Sequence, residues 1–237
     1  MRRLALSVFS HRFLAIARLE LHFIALRLKN ILRGQRQAIR ALLRSMPDPK
    51  YLNLGSGPRG LLDAHWMNID GFPGHNVHFQ LDFGRGLPFE DASFDGVFCE
   101  HVLEHFSLED GVVLSREVRR VLKPGGVFRV VVPDSENVVR SYLDSPGALV
   151  SYRLGDGSSA TPMEVVNLFF RQRYEHQFLY DWDTMRKMLT NAGFQHIERG
   201  ATGCPQLSPA LVLDDPKYAW ESLYVEAQKR RDATSQS

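Results

Sequence analysis

Tyr51-Leu52-Asn53-Leu54-Gly55-Ser56-Gly57-Pro58 reads as a short strand running into a glycine turn. Glycine at such a turn lets a ligand approach the backbone closely. Similar short runs follow. Residues 66–69 end in Asp70-Gly71, residues 77–81 end in Asp82, and residues 94–99 end in Glu100-His101. Residues 108–122 carry apolar side chains at helical spacing, and Lys123-Pro124-Gly125-Gly126 is a helix stop. Residues 127–132 form a near-continuous apolar run, as a strand covered on both faces requires. Residues 183–192 read as a helix ended by Gly193, and residues 222–227 as a last strand. Strand–helix alternation of this kind predicts an α/β fold: a Rossmann-like, doubly wound, mainly parallel sheet.

Ligands of such sheets sit beyond the carboxyl ends of the strands. Three of those ends suit a nucleoside: the glycine turn, then Asp70 to accept from ribose hydroxyls, then Asp82 to accept from an adenine amine. A dinucleotide is the competing ligand, because Gly55-Ser56-Gly57-Pro58-Arg59-Gly60 fits Gly-x-Gly-x-x-Gly. That fingerprint needs a full helix next and an acid about 20 residues on. Here the space before Trp66 is too short for the helix, and Asp70 arrives too soon.

The composition is that of a globular protein. Of 237 residues, 44% are apolar and 24% charged, which excludes disordered and collagen-like classes. Cys99 and Cys204 cannot form a disulfide framework, so a reducing, cytoplasmic setting is expected. No 18-residue stretch lacks charge, so no transmembrane helix is expected. The net charge of +2 conceals a split: residues 1–50 carry +9 and the remainder −7. Separate roles are expected for the two parts.

Residues 1–48 read as a basic amphipathic helical arm of two helices, the second over residues 35–45. Arginines alternate with Leu, Ile and Phe, and the apolar positions do not fall on one clean face. Three readings stay open: a cap packed on the rest of the chain or on another subunit, peripheral contact of residues 1–44 with the inner face of an anionic membrane, and a signal peptide opening with Met1-Arg2-Arg3. His11 and Arg12 interrupt the apolar core of the last of these. Nucleic acid is not an expected partner, because aliphatic surface breaks up the basic stripe.

From about Tyr51 to Lys229 the chain resembles class I S-adenosylmethionine-dependent methyltransferases of the type 11 kind. The resemblance rests on residues 52–57, Asn68-Ile69-Asp70, Leu81-Asp82 with Leu87-Pro88-Phe89, and Ser93-Phe94-Asp95-Gly96-Val97. It continues through residues 100–105, residues 117–126 with their Lys-Pro-Gly-Gly ending, and Val130-Val131-Val132-Pro133-Asp134. Residues 222–227 resemble the last strand of a bacterial subgroup associated with glycan modification.

The resemblance implies a seven-stranded sheet, in a domain over residues 49–230; the chain is expected to carry an N-terminal helical extension before it and a disordered tail at 231–237 after it. The resemblance also implies S-adenosylmethionine as cofactor, with Asn53, Gly55, Ser56 and Gly57 at its methionine side. Asp70 would hold the ribose, Asp82 and Phe83 the adenine, and Glu100 and His101 the methionine portion. The family's first motif begins with Asp or Glu, where this chain has Asn53.

His101, Glu104 and His105 lie within five residues, and His176 follows much later. His105, His176 and Glu104 are candidates for proton transfer from a hydroxyl acceptor, since imidazole titrates near neutrality. Structural positioning and a metal set of His101, Glu104, His105 and His176 are the alternatives. No metal is the primary expectation, although imidazole and carboxylate are competent ligands. Residues 145–180 interrupt the core pattern and read as an acceptor-side insertion or lid. Its turn at 155–159 reads as flexible, and its Arg171, Arg173, Tyr174 and Tyr180 are candidates for a polar acceptor. The expected activity is O-methylation of a sugar or polysaccharide-biosynthesis intermediate, a small-molecule or glycan acceptor. The other reading is an inactive cofactor-binding module that recruits a partner through its N-terminal helices.

Overall fold

Where apolar runs meet turn residues, strands form. In the computed structural model, which describes residues 10–149, 160–172 and 175–231, these are β1 (Tyr51–Leu54), β2 (Trp66–Asp70), β3 (Phe79–Gln80), β4 (Phe94–Glu100), β5 (Leu122–Pro133), β6 (Gln195–Gly200) and β7 (Ser222–Gln228). They form one sheet in the order β3-β2-β1-β4-β5-β7-β6. β1 to β5 are parallel, and β7 runs antiparallel to both β5 and β6. The expected seven-stranded, mainly parallel, doubly wound sheet is present. The signal-peptide opening at residues 1–3, the turn at 155–159, Arg173, Tyr174 and residues 232–237 of the expected tail lie outside the described residues.

Seven helices accompany the sheet among the described residues: α1 (His11–Leu32), α2 (Gln35–Ser45), α3 (Leu108–Val121), α4 (Ser135–Asp144), α5 (Pro146–Leu149), α6 (Pro162–Arg171) and α7 (Trp182–Asn191). Ser107 caps α3, accepting from Asp110 N, and the helix buries Leu114, Val118 and Val121 at helical spacing. The main core joins these to Leu52, Leu54, Ile69, Val97, Val130 and Val132. α4, α5 and α6 make a smaller cluster of their own around Val138, Leu149, Val165 and Phe169. A capping box at Thr161 and Glu164 starts α6.

Three elements differ from expectation. The helix stops at Val121, because Leu122 turns extended (ψ 139°). Lys123-Pro124-Gly125-Gly126 therefore opens β5, and the β4–β5 register shifts between Phe94 and Gly96 to absorb it. β3 is two residues rather than five, since Val77 N is spent on a turn to Gly74 O. β6 has no counterpart in the sequence reading. It is an edge strand of mostly exposed residues and shows no apolar run.

β5 carries a charged residue in its centre. Arg129 is fully buried and reaches two fully buried carboxylates. Its Nη1 donates to Glu226 on β7 at 2.8 Å, its Nε to Asp214 at 2.9 Å, and its Nη2 to Asp214 and to Ala201 O. Glu226 also accepts from the amides of Gln206 and Leu207. This network ties residues 201–214 to the sheet.

The arm lies against the domain. Ile39 of α2 and Met46 join the main core, and Leu26 of α1 is buried. This agrees with the cap reading of the arm. The outer face of α1 leaves Leu21, Ile24, Leu28, Ile31 and Leu32 exposed. Among the described residues no helix is long and apolar enough to cross a membrane. Cys99 is buried, Cys204 is exposed, and both are free.

Candidate functional site

β1 ends in a turn that only glycine can make. Gly55 has φ +77°, and a Cβ there would stand 2.1 Å from Val102 Cγ2. The amides of Gly55 and Ser56 donate to Ile69 O on β2, so the turn is locked to the neighbouring strand. Asp70 closes the arrangement: one carboxylate oxygen accepts from Gly57 N at 2.7 Å and the other from Phe72 N at 2.8 Å. Ser56 Oγ is buried with no protein partner among the described residues.

Asn53 is buried and donates to Asn68 Oδ1 at 3.2 Å. Asn68 in turn bridges Leu61 O and Asn76 O. The structure thus places Asn53 in a buried amide network between β1 and β2. A carboxylate at this position could not donate that hydrogen bond.

Beyond β3, Asp82 caps a single 3-10 turn through Gly84 N, and Phe83 is buried beside it. The other oxygen of Asp82 accepts from Arg27 Nη1 of α1 at 2.5 Å. α1 makes further contacts along this edge. His22 Nε2 lies 2.8 Å from Gly71 O, and its ring stacks on Phe72 at 4.7 Å. Phe23 sits over Gly71, and Asn30 donates to Gln80 O at 2.9 Å. Sequence reasoning missed this: His22, Phe23 and Arg27 follow no motif, and only docking of the arm brings them to Asp70 and Asp82.

After β4 the chain bends sharply. His101 has φ +53°, an uncommon conformation for a non-glycine residue. The bend aims its Nδ1 at Glu104 Oε1 (3.1 Å) and its Nε2 at Ser222 Oγ (3.2 Å). Burial pulls the His101 pKa down, but the hydrogen bond and charge of Glu104, with Glu100 and Glu221, outweigh it and the net shift is upward. Glu100 is buried and accepts from Asp215 N at 3.3 Å.

Glu104 is fully buried. Its backbone carbonyl accepts from Gln177 N and Phe178 N, which pulls the segment after α6 against residues 104–105. His105 and His176 thereby meet, with ring centroids 5.1 Å apart. His105 Nδ1 faces Glu175 O, and His176 Nδ1 faces Phe169 O at 2.5 Å. Burial lowers the His176 pKa. Glu104, His105 and His176 each bring one ligand-type atom within 4.8 Å of the others. His101 turns to Ser222 instead and stands outside that group, so the four-residue metal set shrinks to three. Tyr180 is fully buried with its hydroxyl unpartnered among the described residues, and burial raises its pKa. It is therefore not available to an acceptor in solution, whereas Arg171 is exposed.

A sequence model of the methyltransferase domain family matches residues 68–130. The uncharacterized methyltransferase YcgJ of Bacillus subtilis is 46% identical over 56 residues, covering 24% of this chain and 21% of that protein. The sterol 24-C-methyltransferase of Yarrowia lipolytica is 37% identical over 67 residues, covering 28% of this chain and 17% of that protein. The chain thus aligns with about a fifth of the length of these curated relatives. An S-adenosylmethionine-dependent methyltransferase structure from Mesorhizobium loti superposes with a TM-score of 0.46 at 17% identity, over 80% of this chain and 96% of that one.

Proposed function

We propose that this chain, whose residues 68–130 match a model of the methyltransferase domain family and lie in a seven-stranded, mainly parallel sheet, uses S-adenosylmethionine to methylate a hydroxyl of a sugar or polysaccharide-biosynthesis intermediate. One observation carries the cofactor assignment: the Gly55–Gly57 turn, Asp70 and Asp82 converge at the carboxyl ends of adjacent strands. The residues fit the group. Gly57 has open space where a Cβ would stand, the Ser56 hydroxyl lacks a partner among the described residues, and Asp70 and Asp82 offer carboxylates as acceptors for ribose hydroxyls and an adenine amine. Asp70 would hold the ribose, Asp82 with Phe83 the adenine, and Glu100 and His101 would border the methionine portion. Bound there, S-adenosylmethionine supplies an electrophilic methyl group on a positively charged sulfur.

The protein's own task is to orient the acceptor and take up its proton. Holding the acceptor oxygen in line with the methyl group is the larger contribution. Glu104, His105 and His176 supply lone pairs to receive the hydroxyl proton. The test is methyl transfer from labelled S-adenosylmethionine to a panel of sugars and glycans. Incorporation into a hydroxyl is the expected result. Labelling only of amines or carbon acceptors would refute the O-methylation reading.

Arg27 makes a specific prediction. Its guanidinium holds the Asp82 oxygen that an adenine amine would use. Arg27→Ala is therefore expected to tighten S-adenosylhomocysteine binding by about twofold to fivefold, the worth of a part-exposed ion pair. Weaker binding in calorimetric titration would instead make Arg27 part of the cofactor site.

The exposed apolar face of α1 favours a second reading, a cofactor-binding module without turnover whose arm recruits a partner. Cofactor binding with no transfer to any acceptor would support it. Co-sedimentation of the full chain with anionic liposomes would identify the membrane as the arm's target.

A further inference from the structure

Three groups that carry lone pairs, on Glu104, His105 and His176, converge beside the helical turn that follows β4. Glu104 is fully buried, its Oε1 is engaged by His101, and its Oε2 has no hydrogen-bond partner among the described residues. His105 Nδ1 and His176 Nδ1 each face a backbone carbonyl, of Glu175 and Phe169 respectively. A carbonyl only accepts, so Nδ1 carries the hydrogen in each ring. That leaves Nε2 of both rings as a lone-pair acceptor. Glu104 Oε2, buried and unpaired among the described residues, is costly in a low-dielectric setting, and the two part-exposed imidazoles add acceptor nitrogens beside it. A cation engages all three at once.

We propose that Glu104, His105 and His176 bind a divalent first-row metal ion of the Mn2+ to Zn2+ range. Two imidazoles and one carboxylate are a normal donor set for such ions. The three ligand-type atoms lie within 4.8 Å of one another, near the separation of about 3–4 Å between ligands sharing one ion. The surroundings have the outer contacts that metal-ligating histidines need. Both Nδ1–H groups are anchored on carbonyls, and His101, backed by Ser222, holds the second oxygen of Glu104. Three protein ligands leave at least one coordination position for an oxygen of a small molecule. The ligands come from two distant segments, residues 104–105 and residue 176. The ion would therefore pin the segment after α6 to the end of β4, adding to the bonds from Gln177 N and Phe178 N to Glu104 O.

The proposal bears on the proton-acceptor role given above to the same three residues: with the ion bound their lone pairs are taken, so the two roles are alternatives, and metal uptake is read without turnover. The full chain is stripped with a chelator and titrated with Co2+ and Zn2+. Visible absorption reports Co2+ coordination, and elemental analysis reports Zn2+ after desalting. About one ion per chain is expected, with Co2+ bands characteristic of a nitrogen and oxygen site. Glu104→Gln is expected to weaken binding at least a hundredfold, on the order of the largest losses seen for outer-shell changes. Because Glu104 is buried, His105→Ala provides a second variant at a part-exposed position, and thermal melts of both confirm folding. No stoichiometric uptake by the wild type overturns the proposal, as does unchanged uptake in folded His105→Ala. Metal uptake without methyl transfer would leave this site standing and count against the activity proposed above.

Discussion

Asp70→Ala is expected to reduce S-adenosylhomocysteine affinity by more than a hundredfold. A carboxylate accepting two ribose hydroxyls makes two charge-assisted hydrogen bonds of about 1.5–3 kcal/mol each. Losing both corresponds to at least about 3 kcal/mol, beyond a hundredfold in Kd. The structure adds a second loss. Asp70 also accepts from Gly57 N and Phe72 N, so the variant releases the glycine turn as well as the proposed ribose contact. Asp70→Asn separates the two effects, since its one carbonyl oxygen can hold one of those amides but carries no charge. It is expected to retain more thermal stability than the alanine variant while still binding weakly. Wild-type affinity in a folded Asp70→Ala protein would remove the adenosine assignment.

The second large effect concerns stability. Arg129→Met leaves Asp214 and Glu226 buried without their cation. Breaking one partner out of a buried ionic network costs about 3–5 kcal/mol. For a chain of this size that is a fall in Tm on the order of 10 °C. The penalty comes from the uncompensated carboxylates rather than from lost attraction. The triple variant Arg129→Met, Asp214→Asn, Glu226→Gln is therefore expected to regain part of the stability, because no unpaired charge remains in the core. A calorimetric scan measures both. If Arg129→Met melted with the wild type, the network would carry no stability. A triple variant less stable than Arg129→Met would contradict the charge argument.

The order of strand ends was legible along the chain, and with it the glycine turn, Asp70 and Asp82 on which the proposed cofactor site rests. A period-two or fully apolar run bounded by Gly, Asp or Asn marks a strand wherever it is buried, as for residues 51–54, 66–70 and 94–100. Glycine at 55 and acids at 70 and 82 are local signals, because they act through their own backbone or strand terminus. β6 was not legible, since an edge strand buries too little to need apolar residues. The start of β5 was misread for a related reason: Pro and Gly end a helix in any context, but the neighbouring strand decides whether the chain then pairs.

What only tertiary structure decided is which distant residues meet. Arg129 looks like a charge out of place in an apolar strand until Asp214 and Glu226 fold around it. His105 was a candidate by itself, but its pairing with His176 depends on backbone bonds from residues 177–178 to Glu104, which no spacing encodes. The arm's contact with Asp82 is of the same kind: Arg27 is one of many arginines in a mixed helix, chosen by how α1 docks. Local conformation follows from propensity and burial period, which each segment carries within itself. Charge compensation and ligand geometry depend on separations in space, and those exist only once the sheet order is set.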